Sequence, residues 1–207
     1  MFRKIDKALH ILFAGDPLWR RALRLGIGAA IEHVPSLKAM GPMTTVVDIG
    51  ANRGQFALAA RHVWPGVRIF SFEPLDGPAE CAGRLFAHDD KFRLYRAAIA
   101  PQAGVATMHV AARDDSSSLL PIGEAQTKIF PGTEEVATVE VETGPLDVFL
   151  KARDIEPAAL LKLDVQGFEL EVLKGCEPLL DRFAAIYVEC SFLPLYEGQA
   201  LADEVIA

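Results

Sequence analysis

Val46-Val47-Asp48-Ile49-Gly50-Ala51-Asn52-Arg53-Gly54-Gln55-Phe56 reads as a buried strand, a tight turn and the first turn of a helix. Thr44 to Ile49 is β-branched apart from a single acid, Asp48, as suits a strand covered on both faces. From Gln55 to Trp64, residues Phe56, Ala59, Ala60 and Val63 fall on one helical face. Between strand and helix, Gly50 and Gly54 carry no Cβ, so the backbone can turn sharply and approach a ligand. The free N–H groups and positive dipole end of the helix then point at whatever lies over the turn. This is the geometry of a nucleotide site; an ordinary βα turn with two glycines is the plainer alternative.

The order Asp48-x-Gly50-x-Asn52-x-Gly54 is not the Gly-x-Gly-x-x-Gly of dinucleotide-binding turns. Nor is it a phosphate loop, because no Gly-Lys-Ser/Thr follows. An acid ending the strand repels a pyrophosphate and can meet a cationic amine.

Outward from this stretch, Pro65-Gly66 ends the helix, and Val67 to Phe72 forms a second strand that stops at Glu73-Pro74, 25 residues beyond Asp48. An acid at the tip of the second strand of a doubly wound fold accepts hydrogen bonds from ribose hydroxyls; a solvated strand end is the alternative. A helix over Pro78 to His88 precedes a third strand from Phe92 to Ile99, and Pro101 to Gly104 reads as a hairpin into Val105 to Ala111. Residues 113–135 are a polar stretch of 23 residues with little periodicity, holding Asp114-Asp115-Ser116-Ser117-Ser118. Such a connection is a lid, a binding loop or a solvated segment. Val136 to Glu142 alternates as an exposed or edge strand does, and Leu146 to Arg153 reads as a short helix. Ala158 to Val165 is the next buried strand, again ended by an acid, Asp164. Gln166-Gly167 turns into a helix stopped by Gly175, and Ala184 to Cys190 is a last strand carrying Glu189.

Composition sets limits on all of this. Half of the 207 residues are hydrophobic, enough for a sheet buried between helical layers, and the net charge of −7 disfavours nucleic acid as a partner. Cys81, Cys176 and Cys190 are odd in number and far apart, which argues for a reducing, cytoplasmic setting and against a disulfide framework or zinc cage. No apolar run approaches the roughly 18 residues of a membrane span, and no signal-peptide layout opens the chain. Residues 1–24 hold six basic against two acidic side chains. Phe2, Ile5, Leu9 and Leu12 recur at helical spacing, and Asp16-Pro17 looks like an N-cap opening a second helix to about His33. Residues 1–40 are therefore expected as a helical appendage to a domain over 41–207. The appendage either packs on that domain or meets a partner or membrane surface without inserting.

Asp48, Glu73 and Asp164 each end a strand; in a parallel sheet they converge on the edge where such folds bind ligands. Their complement carries a cationic amine and a ribose diol but no phosphates. S-adenosylmethionine fits that description; NAD and ATP do not.

Together with Phe72-Glu73-Pro74, Ser117-Ser118-Leu119, Leu146-Asp147 and Leu161 to Gly175, the opening stretch resembles the FkbM family of methyltransferases over about residues 40–200. The resemblance implies a class I, Rossmann-like α/β fold with a doubly wound, mostly parallel sheet. It also implies an S-adenosylmethionine-dependent enzyme that methylates a hydroxyl of a sugar or other small natural product. By position, Asp48, Gly50, Asn52 and Gly54 would line the cofactor's amino-acid end, with Ala51, Gln55, Phe56, Val165 and Gln166 around it. Glu73, beside Pro74, would hold the ribose, and Ala98 would lie beside the adenine. Two departures stand out: Thr143-Gly144-Pro145 replaces a threonine-rich approach to Leu146-Asp147, and the family continues past Tyr196-Glu197-Gly198 into a final strand pair. Truncation, another chain such as a homodimer partner, or a shorter edge would each account for the second.

Methyl transfer to oxygen needs alignment and removal of a hydroxyl proton. Asp164 is the first candidate for that base, with Glu189 and Glu169 behind it; contact with the cofactor's ammonium alone is the competing role for Asp164. Paired acids can hold a divalent cation, but a clear third ligand is missing and no metal is expected. A non-catalytic S-adenosylmethionine-binding protein is the alternative to an enzyme.

Overall fold

In the computed structural model, which describes residues 16–207, the two buried strand runs, each interrupted by one charged residue, Asp48 and Lys162, lie side by side at the centre of a sheet. The helix expected from Phe2 to Leu12 falls outside the described residues. Strands β1 (Thr45–Ile49), β2 (Arg68–Phe72), β3 (Phe92–Tyr95), β4 (Ala98–Ile99), β5 (Gly104–Ala111), β6 (Glu135–Gly144), β7 (Ala159–Leu163) and β8 (Phe183–Val188) form two sheets. Between them run α1 (Pro17–Arg24), α2 (Val34–Ala39), α3 (Gln55–Val63), α4 (Asp76–Leu85), α5 (Glu124–Ile129), α6 (Leu146–Phe149), α7 (Glu169–Cys176) and α8 (Ala202–Ile206).

The large sheet has the order β3-β2-β1-β7-β8, and every pair in it is parallel. All residues of β1 and β7 are buried, so side chains alternate between two apolar layers. Val46, Ile69 and Leu160 meet α3 on one face; Val47, Ile49, Leu161 and Leu163 meet Leu146, Val172 and Leu179 on the other. Chain order reverses between β1 and β7. A doubly wound sheet opens its ligand crevice at that reversal, beyond the carboxyl ends of the strands.

The first described helix starts as its sequence dictates. Asp16 Oδ1 accepts from the Leu18 and Trp19 amides at 2.9 and 3.3 Å, and Pro17 takes the first position, where a missing N–H costs nothing. It ends at Arg24 rather than near His33, because the chain turns at Gly26 with φ +73°. Pro35 does not stop a helix either, since it sits in the first turn of α2. Trp19, Ala22, Ile27 and Leu37 join the core beneath α3, and the Trp19 indole N–H donates to Leu58 O at 3.1 Å.

The small sheet departs most from expectation. The run expected as one strand from Phe92 to Ile99 divides: β3 extends the large sheet, whereas β4 pairs in parallel with β6. β5 makes no hairpin with that run; it pairs antiparallel with β6 from Gly104 opposite Thr143 to Ala111 opposite Glu135. β6 is thus exposed, as its alternation predicts, but central rather than an edge. The stretch 113–135 contains α5 and a 3-10 turn, Asp114–Ser116. No helix among the described residues is long and apolar enough to cross a membrane.

Candidate active site

Register alone builds the rim of the crevice. Asp48 lies opposite Ser71 and Lys162, and Lys162 opposite Tyr187, giving an inner row Ser71–Asp48–Lys162–Tyr187 across four strands. Two residues further along each strand comes an outer row, Glu73–Gly50–Asp164–Glu189. Its backbone amides still donate to neighbouring strands: Glu73 to Tyr95 O, Gly50 to Phe72 O, Asp164 to Ile49 O and Glu189 to Leu163 O. Three carboxylates therefore flank one glycine. Gly50 has φ +75°, and a Cβ there would lie 1.8 Å from the Asp164 carbonyl oxygen, so only glycine permits this approach of β1 to β7.

Over the rim lies a cavity of about 510 Å³. Gly50, Ala51, Asn52, Gln55 and Phe56 border it from the turn and α3; Glu73, Pro74 and Ala98 border it from the β2 side. Asp164, Val165, Gln166 and Glu189 close the opposite end. Asp48 and Gly54 do not line it. Gly54 caps α3 with φ +83°, and a Cβ there would meet the Phe86 ring at 2.9 Å, so its role is packing and the turn.

Asp48 is fully buried against Lys162, whose Nζ is 3.0 Å from Asp48 Oδ1 and 3.8 Å from Asp164 Oδ2 and donates to Gly50 O at 2.8 Å. Burial works against the ammonium, but Asp48 and Asp164 outweigh it and hold the Lys162 pKa above the usual lysine value. Burial pushes the Asp48 carboxyl up, and Lys162 pulls it back. Sequence reading passed over Lys162. The available signal was a lone lysine inside the apolar run Ala158 to Leu163, two residues before Asp164 and so on the same face.

Glu73 is also enclosed, with its Oε2 accepting from the Asn52 amide at 2.8 Å and Oε1 from the Leu75 amide at 2.9 Å. Burial pushes its carboxyl up to about 7, against the opposing pull of these two amides. Beside it, Leu75, Ala98 and Met108 pack together as an apolar wall. Asn52 takes φ +46°, a conformation asparagine tolerates, and its Oδ1 accepts from the Arg53 amide and from Gln55 Nε2. Arg53 grips Asp114 through both guanidinium nitrogens at 2.7 and 2.5 Å, tying the Asp114–Ser116 turn to the cavity mouth. The serines beside it are buried rather than solvated. Ser117 Oγ accepts from the Ala111 amide, Ser118 Oγ from the Leu120 amide, and Ser117 borders the cavity.

At the far end, Asp164 Oδ1 accepts from Gln166 Nε2 at 2.8 Å. The neighbouring Glu189 is raised above the usual carboxylate range, first by the charge of Asp164 and then by burial. Glu169, the weaker sequence candidate, instead closes the turn, its Oε1 accepting from the Val165 and Gly167 amides. One wall comes from a segment the sequence did not mark: Ile27, Gly28 and His33 border the cavity, with His33 Nδ1 2.9 Å from the Tyr187 hydroxyl. No group of three or more metal-ligating side chains occurs among the described residues.

The model of a family described as "Methyltransferase FkbM domain" matches residues 48–207. Among curated proteins, the chain is 29% identical over 164 residues to the 2-O-methyltransferase NoeI of Sinorhizobium fredii, covering 76% of this chain and 68% of NoeI. It is 28% identical over 197 residues to the 31-O-demethyl-FK506 methyltransferase FkbM of Streptomyces tacrolimicus, covering 75% of each. Among solved structures, the plantazolicin methyltransferase BpumL in complex with SAH matches at 14% identity and a TM-score of 0.36, over 89% of this chain and 57% of that one. A fibrillarin/Nop5p complex matches at 13% identity and a TM-score of 0.37, over 79% of this chain and 56% of that one.

Proposed function

The chain belongs to the FkbM methyltransferase family, and we propose that it moves the methyl group of S-adenosylmethionine to a hydroxyl of a sugar or natural-product acceptor. The observation that carries this reading is the outer row, in which carboxylates flank the glycine gap. The cationic side chains nearby are already engaged, Lys162 by Asp48 and Arg53 by Asp114, so the rim suits an amine and hydroxyls rather than phosphates. The residues fit the cofactor: Gly50 lets β1 and β7 close together beneath the cavity, Glu73 offers enclosed acceptor oxygens for a ribose diol, and Leu75, Ala98 and Met108 suit a flat apolar base.

When bound, the cofactor supplies a methyl group on a sulfonium, activated for displacement by an oxygen. The protein's part is to align the two centres and deal with the hydroxyl proton. Asp164 takes that proton or orients the hydroxyl, and Glu189, next in the row, is the second candidate. A contact of Asp164 with the cofactor's ammonium is the competing assignment, favoured by its closeness to Gly50. The acceptor is a small molecule or carbohydrate; the acidic rim and the −7 net charge oppose a nucleic-acid backbone.

Tritium transfer from S-adenosyl-[methyl-³H]methionine to a set of neutral methyl glycosides and 31-O-demethyl-FK506 tests the proposal. Transfer above a no-acceptor control is expected for at least one hydroxyl acceptor. Tight binding of S-adenosylhomocysteine with no transfer to any of them would favour a binding protein over an enzyme.

A further inference from the structure

Behind Asp164 stands a chain of side-chain hydrogen bonds that ends on Tyr196, and we infer that Tyr196 and Gln166 are positioning residues for methyl transfer, acting through Asp164. The inference rests on the reading of Asp164 as the acceptor-side carboxylate. Gln166 Nε2 donates to Asp164 Oδ1 at 2.8 Å, and Gln166 Oε1 lies 3.0 Å from the Tyr196 hydroxyl. The same hydroxyl is 2.9 Å from the Ser116 carbonyl oxygen, so its single proton is shared between the two acceptors. A glutamine amide that accepts at one end and donates at the other must present its NH₂ to the carboxylate, and the phenol fixes which way round it sits.

Each link is held from outside. Gln166 has φ +55°, a left-handed conformation that a glutamine keeps only when its surroundings over-determine it. Gly167 follows at φ +98°, and a Cβ there would come 3.1 Å from Tyr196 Cδ2, so the tyrosine ring packs directly on the turn. Tyr196 is 3% exposed, and its own amide donates to Gln199 Oε1 at 3.1 Å. On either side of it, Gly123 N donates to Leu195 O and Glu197 N to Pro121 O. Burial pushes the Tyr196 pKa well above its ordinary value, which keeps the hydroxyl a proton donor and unsuited to act as the base.

The consequence falls on one carboxylate. Asp164 is held at Oδ1 by Gln166, while Oδ2 faces Lys162 at 3.8 Å, so its plane is set from two directions. Misplacing a reacting group by about 1 Å costs on the order of 10²-fold in rate, so an anchor of this kind acts on turnover while leaving cofactor contacts alone. Ser116 belongs to the turn that borders the cavity mouth, and the Tyr196 hydroxyl therefore links that turn to the catalytic end of the rim.

Tyr196→Phe removes the hydroxyl and keeps the ring on Gly167. In NMR of the protein saturated with S-adenosylhomocysteine, the Gln166 side-chain NH₂, identified by its loss in Gln166→Leu, should exchange with solvent at least about tenfold more slowly than exposed glutamines. Tyr196→Phe should bring it to the exposed rate, with the thermal midpoint shifted by no more than a few degrees. With the methyl glycoside that turns over fastest in the acceptor set, kcat should fall roughly 10–100-fold in Tyr196→Phe and in Gln166→Leu. The double variant should be no worse than the poorer single one, since both act on one chain of contacts, and in Tyr196→Phe, whose ring does not border the cavity, S-adenosylhomocysteine affinity should stay within about twofold. Unchanged Gln166 exchange in Tyr196→Phe overturns the inference, as does wild-type kcat in Tyr196→Phe beside a depressed kcat in Asp164→Asn. Wild-type kcat in Asp164→Asn marks a different failure, that of the reading of Asp164 itself.

Discussion

The Lys162 ammonium lies 3.0 Å from Asp48 Oδ1, directly beneath the glycine turn, with both side chains shut off from solvent. Removing one member leaves the other charge buried without its partner, a loss of about 3–5 kcal/mol. Lys162→Met should therefore lower stability by that amount in urea unfolding, and Asp48→Leu with Lys162→Met should recover most of it. A single Lys162→Met as stable as wild type would show that the pair carries no structural weight.

Gly50→Ala should abolish S-adenosylhomocysteine binding and lower the thermal midpoint sharply. The new methyl group would overlap the Asp164 backbone oxygen, which cannot move without breaking the pairing of β1 with β7. Gly26→Ala is the control: its φ is +73°, but nothing lies within 4 Å of the added Cβ, so it carries only the backbone strain, about 1–2 kcal/mol. Equal effects of the two substitutions would contradict the steric account.

Glu73, raised to about 7 from an ordinary 4.5, sets a pH dependence. Ribose hydroxyls donate to the ionised carboxylate, so cofactor affinity should rise from pH 6 to pH 8 and fall as the pH drops through 7, by up to about tenfold per pH unit. The sign for stability is opposite. An acid whose folded pKa is raised carries its penalty fully above the folded value, and the penalty is relieved as pH falls from 7 towards 4.5. Glu73→Gln should flatten both dependences, and Glu73→Ala should weaken S-adenosylhomocysteine binding by roughly 1.5–3 kcal/mol while the fold persists. Calorimetry across the range reads all of these; affinity independent of pH in wild type would contradict the raised carboxyl, and wild-type affinity in Glu73→Ala would remove Glu73 from the site.

What the sequence disclosed and what it withheld divide along range. The strand, turn and helix from Thr44 to Trp64, the N-cap at Asp16 and the acids ending three parallel strands are local features, fixed by β-branched runs, glycine and a capping carboxylate. Bringing Asp48, Glu73 and Asp164 to one edge needed only the assumption of a parallel sheet, but the register sets Asp48 one row deeper and places Glu189 beside Asp164 instead. The pairing of β5 with β6, and the division of Phe92 to Ile99 between two sheets, depend on contacts far apart in the chain, which alternation leaves undetermined. Asp48 was legible as a strand-end acid but not as the partner of Lys162, because that pair forms only when β1 and β7 are adjacent. The contribution of Ile27, Gly28 and His33 to the cavity, and of Tyr196 to Gln166, was invisible for the same reason.

Asp164→Asn separates the two roles open to that side chain. Loss of a base or acceptor-orienting group acts in the transition state and should lower kcat by roughly 10²–10⁴ at saturating cofactor. Loss of an ammonium contact alone should raise the cofactor's KM and leave kcat nearly unchanged. The first outcome is expected, and wild-type kcat would move the proton-handling role to Glu189.

The central claim is that the acid-lined rim takes S-adenosylmethionine and rejects phosphate-bearing nucleotides. Isothermal titration of the protein with S-adenosylhomocysteine, NAD and ATP under identical conditions tests it most directly. A saturable one-to-one isotherm for S-adenosylhomocysteine, with NAD and ATP at least about a hundredfold weaker, or roughly 2.7 kcal/mol, is the predicted result. NAD or ATP binding as tightly as S-adenosylhomocysteine would contradict it.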